Sequence, residues 1–206
     1  MMRRFVLVLL LGAGLGAQEA PLPNGLYAVF ATTAGNFTAV LYEKDTPQTV
    51  QNFIGLAQGT KPWKDPKTHA MVRRPLYDGL TFHRVVPGEM IQSGSATGTT
   101  AFDCGFFIHD EFLPGLMFDR SGRLAMANAG SGDTGACQFF ITVGPMRSWD
   151  NKYAVFGTVV RGMDVVEKIN HARVRDEKPL EPVTIKSLTI MRIGPEPPVK
   201  GKKVKK

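Results

Sequence analysis

The chain has 206 residues, 43% of them hydrophobic and 21% charged, with a formal net charge of +7. That length suits one well-buried domain, and the composition is that of a folded globular chain rather than a disordered or membrane-embedded one. The positive excess sits at the ends, in Arg3, Arg4, Lys200, Lys202, Lys203, Lys205 and Lys206. The remainder is close to neutral, which excludes a nucleic-acid footprint on the folded domain.

Residues 1–20 read as a secretory signal. Arg3-Arg4 is the charged n-region, Phe5 to Leu11 is apolar, and Gly12 to Ala17 is rich in small residues. The apolar run is shorter than the roughly 20 residues a spanning helix needs. No stable membrane insertion is therefore expected once the signal is removed. The mature protein is expected to be exported, periplasmic or secreted.

Residues 21–194 are read as the folded domain. Tyr27 to Thr33 and Phe37 to Tyr42 are strand-like and flank a turn at Ala34-Gly35-Asn36, which predicts a hairpin. A helix follows. Thr46 is the expected N-cap and Pro47 the first helical residue. Val50, Phe53, Ile54 and Ala57 form the apolar face, and Gly59 is the stop. Lys61 to Pro75 is polar and reads as a long surface loop. Phe82 to Val86 starts like a strand, Pro87-Gly88 is turn chemistry, and Met90-Ile91-Gln92 starts a second strand. Ser93 to Phe102 is a Gly/Ser/Thr-rich loop, followed by a short apolar segment between Cys104 and Phe112. Leu124 to Ala129, Cys137 to Val143, Ala154 to Val160 and Val183 to Ile193 read as strands, with a short amphipathic helix from Gly162 to Asn170. Many short strands with two helices predict a mainly β, closed or sandwiched antiparallel architecture. Residues 195–206 are polar and proline-containing and read as a flexible basic tail.

The usual signatures of bond-breaking chemistry are missing. There is no Gly-x-Ser-x-Gly elbow, no His-Glu-x-x-His and no Cys-x-x-Cys. The four histidines are not at metal-ligand spacing, so no metal and no cofactor are expected. Gly130, Gly132 and Gly135 fit G-x-G-x-x-G, but they lead into a strand-like run instead of a helix, which argues against a dinucleotide site. What remains suits binding. Arg84 is a fixed fork of donors. Gln92, Asn128 and Gln138 carry amides that can grip a peptide backbone. Met90, Met126, Phe140 and Trp149 can line an apolar surface. The two cysteines, Cys104 and Cys137, permit a disulfide in an exported protein.

Four linked motifs carry a resemblance. They are Phe82-His83-Arg84-Val85-Val86-Pro87-Gly88 with Met90-Ile91-Gln92, then Leu124 to Gly130, then Gln138 to Ile141, then Asp150 to Gly157. In order and spacing they resemble the cyclophilins of the exported bacterial type, from about Gly25 to Ile193. The resemblance implies a closed eight-stranded antiparallel β-barrel capped by two α-helices. It implies peptidyl-prolyl cis-trans isomerase activity on proline-containing polypeptides, with Arg84 as the catalytic residue. A monomer is expected. Phe82, Met90, Gln92, Met126, Ala127, Asn128, Gln138, Phe140, Trp149 and Tyr153 are the substrate-binding residues it implies. Within this set Met90 and Phe140 wall a proline pocket, while Gln92 and Asn128 hold the substrate backbone. The resemblance also brings Cys104 and Cys137 together and suggests a disulfide between them.

The chain departs from the family's pattern at three places. Glu89 stands where the family usually has Phe, and its carboxylate can bond and quench Arg84. Tyr153 stands where many members have His. Trp149 falls at a pocket Leu, or at the family's Trp if one residue is gapped. An alternative follows from Glu89: a peptide-binding chaperone on the same scaffold, with weak or no isomerase activity.

Overall fold

The computed structural model describes residues 20–196. The signal read from residues 1–20 and the tail read from 195–206 lie outside the described residues, but for Ala20, Pro195 and Glu196. In chain order the elements are β1 (Gly25–Thr32), β2 (Asn36–Leu41), α1 (Pro47–Gln58), β3 (Trp63–Lys64), β4 (Met71–Val72), β5 (Arg84–Val86) and β6 (Met90–Ser93). There follow β7 (Arg123–Met126), β8 (Phe139–Thr142), a 3-10 turn at Arg147–Trp149, β9 (Val155–Arg161), α2 (Met163–Asn170), β10 (Val174–Arg175), β11 (Lys178–Pro179) and β12 (Ile185–Ile193).

Eight strands form one antiparallel sheet in the order β12-β1-β2-β9-β7-β8-β6-β5, curled into a half-barrel. The closed barrel expected from the resemblance is not confirmed, because β5 and β12 do not pair as strands. The gap between them is spanned by a single bridge, Thr81 to Thr184. Two backbone bonds support it, Phe82 N–H to the Val183 carbonyl at 2.9 Å and Ile185 N–H to the Leu80 carbonyl at 2.8 Å. Thr81 precedes β5 and Thr184 precedes β12, so no ladder can extend along either edge.

The predicted first hairpin is present, with Phe30 opposite Phe37 and their rings stacked at 4.4 Å. Helix α1 begins at Pro47 as predicted and ends at Gly59, which is left-handed (φ 72°). A side chain there would put its Cβ 2.5 Å from the Arg74 carbonyl carbon. Thr46 is the N-cap as expected, but its side chain makes no capping hydrogen bond. The Thr46 hydroxyl donates back to the Tyr42 carbonyl, and the free N–H groups of Gln48 and Thr49 donate to the Glu111 carboxylate at 3.1 and 2.8 Å. An anion at a helix N-terminus is favoured by the orphan donors and the helix dipole. Here it also fastens the segment after Cys104 to the helix.

The stretch from Lys61 to Pro75 is not a plain loop. Strands β3 and β4 pair, and Trp63 is buried with its indole N–H donating to the Arg74 carbonyl at 2.9 Å. A buried aromatic with a satisfied polar tip is enough to tie a polar excursion to the body of the protein.

Side chains alternate across a strand, and both faces of this sheet are covered near β6, β7 and β8. Val85, Ile91, Leu124, Met126, Phe139, Ile141 and Phe156 point into the main core, with Phe53 of α1 among the aromatic rings around Phe139. Met90, Ala125, Phe140 and Val155 point the other way and pack with Phe118 into a second, smaller cluster. The candidate groove is built on that second face.

Candidate active site

The register lines up one row across the outer face: Arg84 opposite Gln92, Gln92 opposite Phe140, Phe140 opposite Ala125. Two residues along, Val86 lies opposite Met90. A cation, an amide and an apolar floor are thus set side by side by pairing alone. The bend that presents Arg84 and Met90 is clamped from behind by Asn170 of α2. Its side-chain amide donates to the Val86 and Met90 carbonyls at 2.8 and 3.0 Å, and its oxygen accepts the Gly88 N–H at 2.8 Å. Three bonds from one buried residue satisfy the polar backbone of the turn and fix its shape.

Arg84 is held at two points. Its Nε donates to Glu177 at 2.5 Å and its Nη1 to the Gln92 side-chain oxygen at 3.1 Å. A guanidinium has five N–H donors, so Nη2 is left with no partner among the described residues. The arginine side chain is 35% exposed, open to the groove yet not free to swing. Its hydrogen bond, and then its charge, hold the Glu177 carboxyl below the ordinary carboxylate range. The chain of bonds continues from Gln92 to Gln138 at 2.9 Å and from Gln138 to the Thr100 carbonyl at 2.9 Å. Gln92 thus bonds both Arg84 and Gln138, and its second amide N–H has no partner among the described residues, so the substrate-backbone role implied by the resemblance stays open to it. The Asn128 amide is bonded similarly, donating to the Lys152 carbonyl at 2.8 Å and accepting the Gly130 N–H at 3.1 Å, with its second N–H unpartnered among the described residues.

The groove has a volume of about 980 Å3. Arg84, Met90, Gln92, Ala127, Asn128, Gln138, Phe140, Trp149 and Tyr153 all line it. Phe82 and Met126 do not. Phe82 is fully buried in the main core with its ring near Phe37, and strand alternation turns Met126 into the core beside Phe139. Phe140 is the centre of the apolar end. Trp149 meets it edge-on at 5.4 Å, Tyr153 edge-on at 5.2 Å, and Phe118 stacks behind it at 5.8 Å. Trp149 thus belongs to the pocket wall, while Ser148 before it is exposed.

Glu89 lies at the mouth of the groove, half-buried, and makes no ion pair among the described residues. The carboxylate that meets Arg84 is Glu177, from the turn between β10 and β11. Cys104 and Cys137 are both buried free thiols. Burial, and then contact with Cys104, push the Cys137 thiol well above its ordinary range. They are placed for the suggested pairing without making it. Just after β6, Gly94 (φ 93°) lets the chain pass close to the residues before β8, where a Cβ would sit 2.3 Å from the Cys137 carbonyl oxygen. His83 is buried and neither ring nitrogen has a hydrogen-bond partner of good geometry. Burial pushes its pKa down, against a smaller opposing pull from Gln138 and the Thr81 backbone. No cluster of three or more His, Cys, Asp or Glu residues able to hold a metal occurs among the described residues.

With this geometry in view, the comparisons with known proteins decide the family. The family model described as cyclophilin type peptidyl-prolyl cis-trans isomerase/CLD matches residues 27–190. The chain belongs to the cyclophilin-type peptidyl-prolyl cis-trans isomerases. It is 43% identical over 166 residues to peptidyl-prolyl cis-trans isomerase A of Mycobacterium tuberculosis, covering 79% of this chain and 91% of that protein. It is 40% identical over 169 residues to peptidyl-prolyl cis-trans isomerase B of Streptomyces anulatus, covering 80% and 96%. A crystal structure of a cyclophilin type peptidyl-prolyl cis-trans isomerase from Cryptosporidium parvum, determined in the presence of the dipeptide Ala-Pro, superposes with a TM-score of 0.70 at 25% identity. The superposition covers 81% of this chain and 99% of that one. The cyclophilins are enzymes, and the two-helix β fold described above is theirs.

Glu177, Asn170 and Phe118 were not found from the sequence. Glu177 is 93 residues from Arg84 and Asn170 is 82 from Gly88, and neither lies in a motif. Phe118 had only its aromatic character to mark it, in a stretch with no strand or helix pattern.

Proposed function

We propose that this chain accelerates the cis–trans isomerisation of X-Pro bonds in exported or unfolded polypeptides, as an exported bacterial-type cyclophilin. The observation that carries the reading is Arg84, held at two points with spare donors beside the apolar pocket of Met90 and Phe140. The X-Pro amide is planar by resonance, and rotation costs about 20 kcal/mol. In the twisted state the prolyl nitrogen loses conjugation and gains a lone pair. A fixed cationic donor aimed at that nitrogen is rewarded in the twisted state and hardly at all in the planar ones. No bond breaks, so no nucleophile, metal or cofactor is called for. Met90, Phe140, Trp149 and Tyr153 hold the proline ring, and the remaining walls of the groove take the flanking chain. Export rests on Arg3-Arg4 and the apolar run that follows.

The alternative, peptide binding without turnover, was raised by Glu89. Glu89 makes no ion pair with Arg84 among the described residues; the carboxylate that does is Glu177, which takes Nε and leaves Nη2 open beside the groove. The test is to add the protein to a short X-Pro peptide and follow exchange between its cis and trans signals by NMR, together with peptide affinity by titration. Exchange accelerated at catalytic concentrations supports the isomerase. Saturable binding with exchange no faster than in buffer supports the chaperone.

A further inference from the structure

The two residues at the turn between β10 and β11, Asp176 and Glu177, both have left-handed backbones (φ 50° and 62°). That conformation crowds the Cβ of any residue but glycine, and it persists where the surroundings demand it. The turn is laid against β5: the Val85 N–H donates to the Glu177 carbonyl at 2.8 Å, one residue from Arg84. From that anchored backbone the Glu177 carboxylate reaches the Nε edge of Arg84 at 2.5 Å. Gln92 takes Nη1 from the other side, at 3.1 Å. The guanidinium plane is thus fixed by two partners from two different elements.

The ion pair is not explained by stability. The two side chains are 35% and 47% exposed, and pairs so open to solvent contribute little. Glycine at position 177 would relieve the backbone and lose little else.

We propose that Glu177 is a positioning residue for the isomerase reaction: it clamps the Nε edge of Arg84 so that the unpartnered Nη2 faces the twisted prolyl nitrogen. This rests on the isomerase reading above. A catalytic donor that must meet a pyramidal nitrogen is useful only in one orientation, and a displacement of an ångström costs far more than a lost surface contact. The carboxylate also compensates the charge of the guanidinium. Asp176 and Lys178 flank Glu177 on the same turn and line the groove with it.

The test uses the full chain in three variants: Glu177→Gly, Glu177→Gln and Arg84→Ala. Glycine suits the backbone, so Glu177→Gly is expected to unfold at the same or higher urea concentration than the wild type. Its kcat, from cis–trans exchange on an X-Pro peptide, is expected to fall about tenfold while KM stays within about twofold. Glu177→Gln, which keeps a neutral acceptor, should lie between. The Nε–Hε resonance of Arg84 should shift and broaden in Glu177→Gly and recover part-way in Glu177→Gln. A Glu177→Gly enzyme with unchanged or higher kcat, beside an inactive Arg84→Ala, overturns the clamp and leaves the isomerase reading standing. An Arg84→Ala protein as active as the wild type overturns both.

Discussion

Phe140 and Phe118 form a stacked pair that separates pocket from support. Phe140 lines the groove, and Phe118 lies behind it, fully buried and away from the groove. Truncating either to alanine removes a buried ring from the same cluster. Phe→Ala in a core costs about 3–5 kcal/mol, and the edge contacts of Phe140 with Trp149 and Tyr153 put it at the upper end. At about 2–4 °C per kcal/mol for a chain of this size, both variants should melt roughly 6–20 °C lower and remain folded at room temperature. Activity should divide them. If Phe140 supplies about 50 Å2 of the apolar contact to the proline ring, its loss costs about 1.3 kcal/mol at 25 cal/mol per Å2, or roughly tenfold in kcat/KM. That loss should fall mostly on KM, because the wall touches planar and twisted states alike. Phe118→Ala should lose less than about threefold in kcat/KM. The assay is cis–trans exchange on an X-Pro peptide, with urea denaturation of each variant alongside. A Phe118→Ala enzyme as impaired as Phe140→Ala at equal stability would refute the division. So would a Phe140→Ala enzyme with unchanged KM.

Gln92→Leu keeps the shape of the side chain and strips its two bonds. The Gln138 oxygen is then left buried without a donor, so stability should fall by about 1–3 kcal/mol in urea. Arg84 loses one of its two holds, and kcat should fall about tenfold. His83 gives a pH signature. Its folded pKa lies below the ordinary value of about 6.5 because it is buried without a good partner. Above that value it is neutral folded and unfolded, and its contribution is complete. As the pH falls from about 6.5 toward the depressed folded pKa, the unfolded chain takes up the proton first and stability drops, by at most about 1.4 kcal/mol per pH unit. His83→Phe should therefore lose less stability than the wild type between pH 7 and pH 5. Equal losses would show that His83 is not buried in its neutral form.

Much of the site was legible because it depends on short-range chemistry. The turn at Pro87-Gly88 between two β-prone runs fixes the β5–β6 hairpin, and period-2 alternation then puts Arg84, Met90 and Gln92 on one face. The same alternation excludes Met126, which the resemblance had placed in the groove. Residue 125 faces the groove side, so 126 must face the core. Position along a strand was a better guide here than membership of a motif. What was not legible depends on distant pairings. Thr46 has the right residue type for an N-cap, but Glu111, 62 residues away from Thr49, supplies the acceptor. The polar stretch around Trp63 looks like loop by composition, and one buried indole turns it into a hairpin. Glu177 sits in a turn so short that no periodicity marks it, and its meaning comes only from the strand it lies against. The open ladder between β5 and β12 likewise reflects two edges that meet at Thr81 and Thr184 alone, a fact of curvature that no local pattern encodes.

The role proposed for Arg84 is to stabilise the twisted state. Arg84→Lys tests it most directly, because lysine keeps the charge and loses the fork that Glu177 and Gln92 hold. Cis–trans exchange on an X-Pro peptide gives kcat, and titration of the same peptide gives Kd. The expected result is a fall in kcat of about 10²–10³, the value of a well-aimed charge-assisted hydrogen bond made only in the twisted state, with Kd within about threefold of the wild type. A kcat equal to that of the wild type would contradict it, as would a loss that appears entirely in Kd.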